Sequence, residues 1–232
     1  MSKGNMTFPE KFFKADWLVK DCDLKLGQDL VKQYHYVKGG SNTCVYMHGL
    51  YYKPTMELVG VAWWLPPTRV ACESVNKNNW TKVLSLTRLV IVPNVPKNAC
   101  SFLLSKSVNL IKKDGRFTDL VTYADESQHH VGTIYKASNW VYIGKTGPYP
   151  RWIDPKTGKQ VAQKATVNRV KAKMLEMGFV KVGSFYKHKY TLKICGDSLI
   201  GKTPVSPIGD GISKVTSPLQ YVVVNNQNTV EK

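Results

Sequence analysis

VLSLTRLVIVPNVPKNACSFLLSKSVNLIKKDGRFTDLVTYAD, residues 83–125, decides the fold class. VLSLTRLVIV is a strongly apolar run that reads as a strand, ended by Pro93. Asn98 then stands where a helix N-cap belongs. Leu103, Leu104, Val108 and Ile111 recur at helical spacing. Lys112 and Lys113 suit the negative end of the helix dipole, and Gly115 suits the left-handed position just past it. RFTDLVTYAD returns as a strand. Strand, helix, strand at these lengths predicts a right-handed βαβ unit.

Upstream, DLKLGQDLVKQYHY (23–36) predicts a helix. Asp23 caps it, and Leu26, Leu30, Val31 and Tyr34 share its apolar face. KGGSN breaks it. TCVYMHGLYY and ELVGVAWWLPPT predict an antiparallel pair of strands around Lys53, Pro54 and Thr55. Neighbouring residues of a strand face opposite sides. One of Trp63 and Trp64 is therefore expected in the core and the other exposed at a cleft, open to stacking.

Downstream lies YADESQHHVGTIYKASNW (123–140). Ser127 is the expected cap of a helix starting near His129, with Val131, Ile134 and Tyr135 on its apolar face. Asn139 ends it in the left-handed conformation that Asn tolerates. His129 and His130 would diverge by about 100° on such a helix. With no H-x-x-x-H or C-x-x-C spacing in the chain, zinc is not expected. WVYIGK reads as a strand and residues 147–163 as a Pro- and Gly-rich loop. TVNRVKAKMLEMG reads as a basic helix stopped by Gly178, and FVKVGSFYKHKYTLKI as strand or hairpin. The tail, 196–232, reads as irregular, with LQYVVV as an edge-strand candidate.

The 232 residues suit one large domain over 1–195 followed by that tail. Hydrophobic residues make up 43%, enough for a core and unlike a disordered chain. No run of about 18 apolar residues occurs, so no membrane span is expected. MSKGNMTFPEKFFKADW is charged and has no continuous apolar stretch, so no secretory signal is expected either. The five cysteines, none in a C-x-x-C pair, read as reduced thiols of a cytoplasmic protein. The net charge of +17 draws the chain toward polyanions. Residues 145–193 form a basic extension, with 12 Lys and Arg against Asp154 and Glu176 alone. That concentration favours nucleic acid as partner, through Lys164, Arg169, Lys171, Lys173, Lys187 and Lys189.

The order of elements resembles the GNAT (N-acetyltransferase-like) superfamily. The resemblance implies an α+β fold whose mixed central sheet has two splayed parallel strands, flanked by helices. It also implies an acyl-coenzyme A-like donor in the gap, with its pyrophosphate on the start of the helix after the first of those strands. That place is held by Lys97, Asn98, Ala99 and Ser101. The usual glycine-rich loop is absent, but Asn98, Ala99 and Ser101 are small enough for a phosphate to approach. His35-Tyr36, LTRLVIVPNVPKNACSFLL, YADESQHHVGTIYKASNW and His188 to Tyr190 together resemble the phage Mom DNA-modification family over roughly residues 34–192. That resemblance implies carbamoylmethylation of the exocyclic amine of adenine in double-stranded DNA. It further implies resistance to host restriction, a small-molecule group donor and a location in the host bacterium's cytoplasm. It also brings in iron, for which His35 with a carboxylate is the ligand candidate.

With the resemblance in place, Tyr135 is the candidate proton donor to a leaving group. Without it, Tyr135 would equally be a core aromatic. Asp125, at a strand end, is the candidate acceptor for the adenine amine, or else a turn-capping acid. Arg88 interrupts an apolar strand and must find a partner. A phosphate, Asp125 and solvent are its three options. His35 is a candidate ligand or base, and Tyr36 a candidate to stack on a flipped base. Two further readings stay open. One is an acyltransferase for a tRNA, protein or small-molecule amine. The other is a non-catalytic nucleic-acid-binding protein on a transferase-like fold.

Overall fold

The computed structural model describes residues 8–37, 39–161 and 171–194, without the side chains of 171 and 172. The chain divides into two units, Met1–Cys195 and Gly196–Lys232. The second unit, Lys164, Arg169, Cys195 and the side chain of Lys171 lie outside the described residues.

The βαβ unit forms as its residues dictate. Strand β4 (Val83–Ile91) and strand β5 (Asp119–Asp125) run parallel, joined by helix α3 (Ala99–Asp114). Leu103, Leu104 and Ile111 are wholly buried along one side of α3. Gly115 ends the helix at φ 77°, its N–H donating to the Ile111 carbonyl. The start differs from expectation. Asn98 has φ 78° and its side chain caps nothing. Instead the Ser101 hydroxyl donates to the Asn98 carbonyl at 3.0 Å.

Around this unit, β1 (Trp17–Asp21), β2 (Tyr46–Tyr52) and β3 (Glu57–Leu65) add antiparallel to β4. Past β5, β9 (Lys187–Lys193) inserts before β6 (Val141–Lys145), giving the order β1-β2-β3-β4-β5-β9-β6. Helix α1 (Leu24–Tyr34) covers one face and α3 the other. Val31 of α1 packs with Met47, Val61, Trp63 and Val90, while the α3 residues pack with Trp64, Leu84, Leu86 and Leu120. Asp23 caps α1, accepting from the N–H groups of Lys25 and Leu26. Leu26, however, is 55% exposed, because α1 turns Gly27 and Val31 inward. The mixed sheet with one parallel pair, flanked by helices, is the α+β architecture expected.

Three local expectations change. Trp63 and Trp64 are both buried, on opposite faces, so neither is open to stack on a base. The loop after α1 lies over Trp63 so closely that a Cβ at Gly40 would come within 2.3 Å of its ring. Residues 126–128 form a 3-10 turn with His129 at φ 57°, and α4 (Thr133–Ala137) begins only after Gly132. His129 and His130 therefore precede the helix. Gly132 has φ 77°, and a Cβ there would lie 2.3 Å from the Tyr190 ring, so both backbone and space demand glycine. Lastly, the segment read as a loop contains β7 (Tyr149–Ile153). It pairs with β8 (Val180–Phe185) in a separate two-stranded sheet after α5 (Lys171–Glu176).

One buried polar network ties the layers together. The Ser107 hydroxyl on α3 accepts from Trp64 Nε1 at 2.7 Å and meets His48 Nδ1 at 2.7 Å. His48 stacks on Tyr46 and its Nε2 lies 3.5 Å from the exposed Asp21. Burial lowers the His48 pKa, and Asp21 offsets this only in part. The unfolded ring takes up a proton below about 6.5 more readily than the folded one. Stability is therefore complete above that value and falls as pH drops below it. Ser107→Ala should cost about 1–3 kcal/mol in urea unfolding, since it strands the indole N–H and the imidazole. A His48→Gln variant should show a flatter loss of stability below pH 6.5.

Candidate functional site

The site is made where β4 and β5 stop pairing. Their ladder runs only from Val83–Asp119 to Leu86–Thr122. Immediately beyond it, β4 carries an extra residue. Trp63 pairs with Arg88 and Trp64 with Leu86, leaving Thr87 as a bulge. A bulge bends its strand and re-aims the side chains that follow. The Thr87 hydroxyl donates to the Trp63 carbonyl at 3.0 Å and fixes the bend toward β3. β5 instead stays paired with β9 through to Asp125–Lys187. A gap opens between them.

On the α1 side, five groups converge on this gap. Asp125 is 7% exposed. Its carboxylate accepts from the Tyr149 hydroxyl and from the Ser127 N–H. The turn-capping role is thus real, and the second donor to the same Oδ1 comes from β7. Burial first, and then Asp125, pushes the Tyr149 phenol up to about 12. Lys187 lies 5.0 Å over the Tyr149 ring. Burial lowers its pKa, while the Asp125 charge pulls it back up. Arg88 does not pair with Asp125. It donates to the carbonyls of Gly39 and Thr87, the first in the loop after α1. Tyr36 stacks on His35 with centroids 4.4 Å apart. Although 39% exposed, its hydroxyl is raised well above 10 by burial and by Asp125, while Arg88 pulls it down. The His130 ring meets Tyr36 edge-on, with centroids 6.0 Å apart.

On the α3 side, Tyr135 is enclosed by the rings of Trp140 and Tyr190. Its phenol is pushed up to about 12 by burial, against a hydrogen bond with Thr122 that lowers it. Thr122 in turn donates to the Leu86 carbonyl at the last rung of the parallel ladder. Tyr135 is therefore both the core aromatic and a group at the apex of the gap. Lys97 and Asn98 are exposed, Ala99 is buried, and Ser101 is half-buried at the first turn of α3.

The predicted basic residues separate. Lys173 is exposed. Lys187 belongs to the gap. Lys189 is taken up by α2 (Arg69–Glu73), its ammonium donating to the Ser74 hydroxyl at 2.7 Å just past that helix. His35 Nδ1 accepts from the Val37 N–H, so that nitrogen is spent locally. Among the described residues no three of His, Cys, Asp and Glu gather to hold a metal. The donor set of the described residues does not fit iron held by those groups. Tyr149 was not found by sequence reasoning. Its flanking prolines and glycine pointed to a loop, and only the β7–β8 pairing carries it to Asp125.

A mixed sheet whose two parallel strands part beside a helix N-terminus is the N-acetyltransferase-like fold. A family model, the Mom protein family, matches residues 16–194, and the chain belongs to that family. No curated protein matches it. Among solved structures it is similar to an N-acetyltransferase from Staphylococcus aureus Mu50, at 10% identity and a TM-score of 0.47, over 77% of this chain and 99% of that one. It is also similar to a putative acetyltransferase from Salmonella typhimurium with acetyl-CoA, at 9% identity and 0.48, over 80% and 98%. A third likeness is to the spermidine N-acetyltransferase from Vibrio cholerae, at 6% and 0.45, over 77% and 96%.

The charge coupling at the gap is directly measurable. Asp125→Asn should lower the Lys187 pKa further, because it removes the charge that raises it. NMR titration of the Lys187 side chain reads this, and an unchanged value would contradict the arrangement.

Proposed function

We propose that this protein alters the exocyclic amine of adenine in double-stranded DNA, by a carbamoylmethylation-type modification that shields phage DNA from host restriction. The observation that carries this is the buried Asp125 carboxylate at the mouth of the strand gap, oriented by Tyr149 and Ser127. Membership of the Mom family supports the substrate. So does the basic charge, which suits a polyanion.

Asp125 is the acceptor for the amine in this reading. The amine is a weak nucleophile because its lone pair is delocalised into the ring. Drawing a proton toward a carboxylate as the nitrogen attacks answers that weakness. The product has N6 bonded to a methylene, so the donor must deliver its methylene carbon and not a carbonyl carbon. As the N6–methylene bond forms, the methylene's bond to the donor's leaving group breaks, Asp125 takes the N6 proton and Tyr135 gives its proton to the departing group. Tyr135 holds its proton at neutral pH, its pKa being pushed up to about 12, so it acts as a proton donor. An acyl-coenzyme A-like donor would rest its phosphates on the first turn of α3, at Lys97, Asn98, Ala99 and Ser101. Arg88, tied to the α1 loop, and His35 under Tyr36 shape the opposite wall. The half-exposed Tyr36 takes the stacking role expected of it, while Trp63 and Trp64 are buried. Flipping adenine out costs a few kcal/mol, which phosphate contacts of the basic extension offset.

Nucleoside mass spectrometry of DNA from cells expressing the protein tests this. Wild type should yield a modified deoxyadenosine. Asp125→Ala and Tyr135→Phe should each lower its yield by about 10²–10⁴-fold, the usual worth of an acid–base group. Soluble wild type that leaves only normal deoxyadenosine would overturn the reading. Acetylation of a tRNA, protein or small amine by the same preparation would replace it with the acyltransferase reading.

A further inference from the structure

We propose that a lysine-lined groove between α3 and β1 binds the phosphate backbone of duplex DNA, at a place separate from the strand gap. It rests on the reading that DNA is the substrate. Two adjoining concavities of about 610 and 300 Å³ share Val19 and Lys106 and so form one groove. Its lining carries five cations, Lys14, Lys53, Lys106, Lys112 and Lys113, and no acid. All five are exposed, and among the described residues none is paired with a carboxylate.

Lys112 and Lys113 already have a local role at the C-terminal end of α3. That role does not account for the other three. Lys106 sits one and a half turns earlier, with its ammonium 5.6 Å over the Phe102 ring. Lys53 comes from the end of β2, where its ammonium donates to the Ala15 carbonyl at 2.6 Å. An ammonium has three donors, so Lys53 keeps two for a ligand. Three separate chain segments thus direct positive charge at one groove, and a regularly charged polyanion is the partner that complements it.

The place is distinct from the site. β1 lies three strands from β4, about 14 Å by strand spacing. Helix α3 covers the sheet face opposite α1 and its loop, where Arg88 and Tyr36 lie. The groove therefore supplies affinity without touching the target base. It holds flanking duplex while the gap holds the adenine.

The test is binding to a duplex several turns long across a range of salt. Lys106→Gln/Lys112→Gln/Lys113→Gln should make the salt dependence shallower by about 0.9 per lost phosphate contact, close to 3 for the triple variant. Lys14→Gln/Lys53→Gln, on other segments, should do the same by about 2. Arginine at the three α3 positions should keep the wild-type slope. Unchanged slopes in both glutamine variants would overturn the proposal. So would loss of binding to anionic vesicles with DNA binding untouched. If wild type binds DNA with these slopes but makes no modified nucleoside, the modification reading fails and the groove stands.

Discussion

The bulge at Thr87 is the constraint on which the site depends. One extra residue in β4 ends its partnership with β5 at Leu86–Thr122, while β5 stays paired with β9. Past that point the two strands no longer pair, and Asp125 and Tyr135 stand beside the opening. The hydroxyls of Thr87 and Thr122 secure the two edges of this opening, one to Trp63 and the other to Leu86. Small polar side chains thus set the geometry inside an otherwise apolar sheet.

The groups around the gap fall into two sets with different electrostatics. On the α1 side, Asp125, Lys187, Arg88, Tyr149 and Tyr36 form a polar cluster whose protonation states are linked. On the α3 side, Tyr135 sits among aromatic rings beside Cys100, whose thiol is itself pushed up to about 12 by burial. A carboxylate on one wall and a phenol that keeps its proton on the other suit an acceptor and a donor of protons acting on opposite sides of a reacting centre. That division follows from the sheet, which keeps the groups around Asp125 apart from Tyr135 and the rings of Trp140 and Tyr190.

Much of the fold was legible because its signals are local. Apolar runs ended by proline marked β3 and β4, and helical spacing with Gly115 marked α3. Asp23 capped its helix as its chemistry requires. The failures share one cause, which is distant chain overriding local preference. Gly40 and its loop cover Trp63, so a residue expected at the surface is buried. The Tyr190 ring against Gly132 delays the helix start that the Ser127 pattern suggested. A segment rich in proline and glycine became β7 because β8 supplied a partner.

The sequence by itself determined the α+β class, the parallel unit, the polyanion-seeking charge and the candidacy of Asp125 and Tyr135. The parallel unit rests on local periodicity and caps and the charge on composition, while the fold class and the roles offered for Asp125 and Tyr135 rest on the resemblance of their motifs to a known family. Only the tertiary structure decided what those two residues face. Asp125 meets Tyr149 from 24 positions away and Lys187 across a strand pair, and Arg88 spends its charge on Gly39. Such meetings depend on strand order and register, which follow from the packing of the whole sheet, so no stretch of sequence carries them alone.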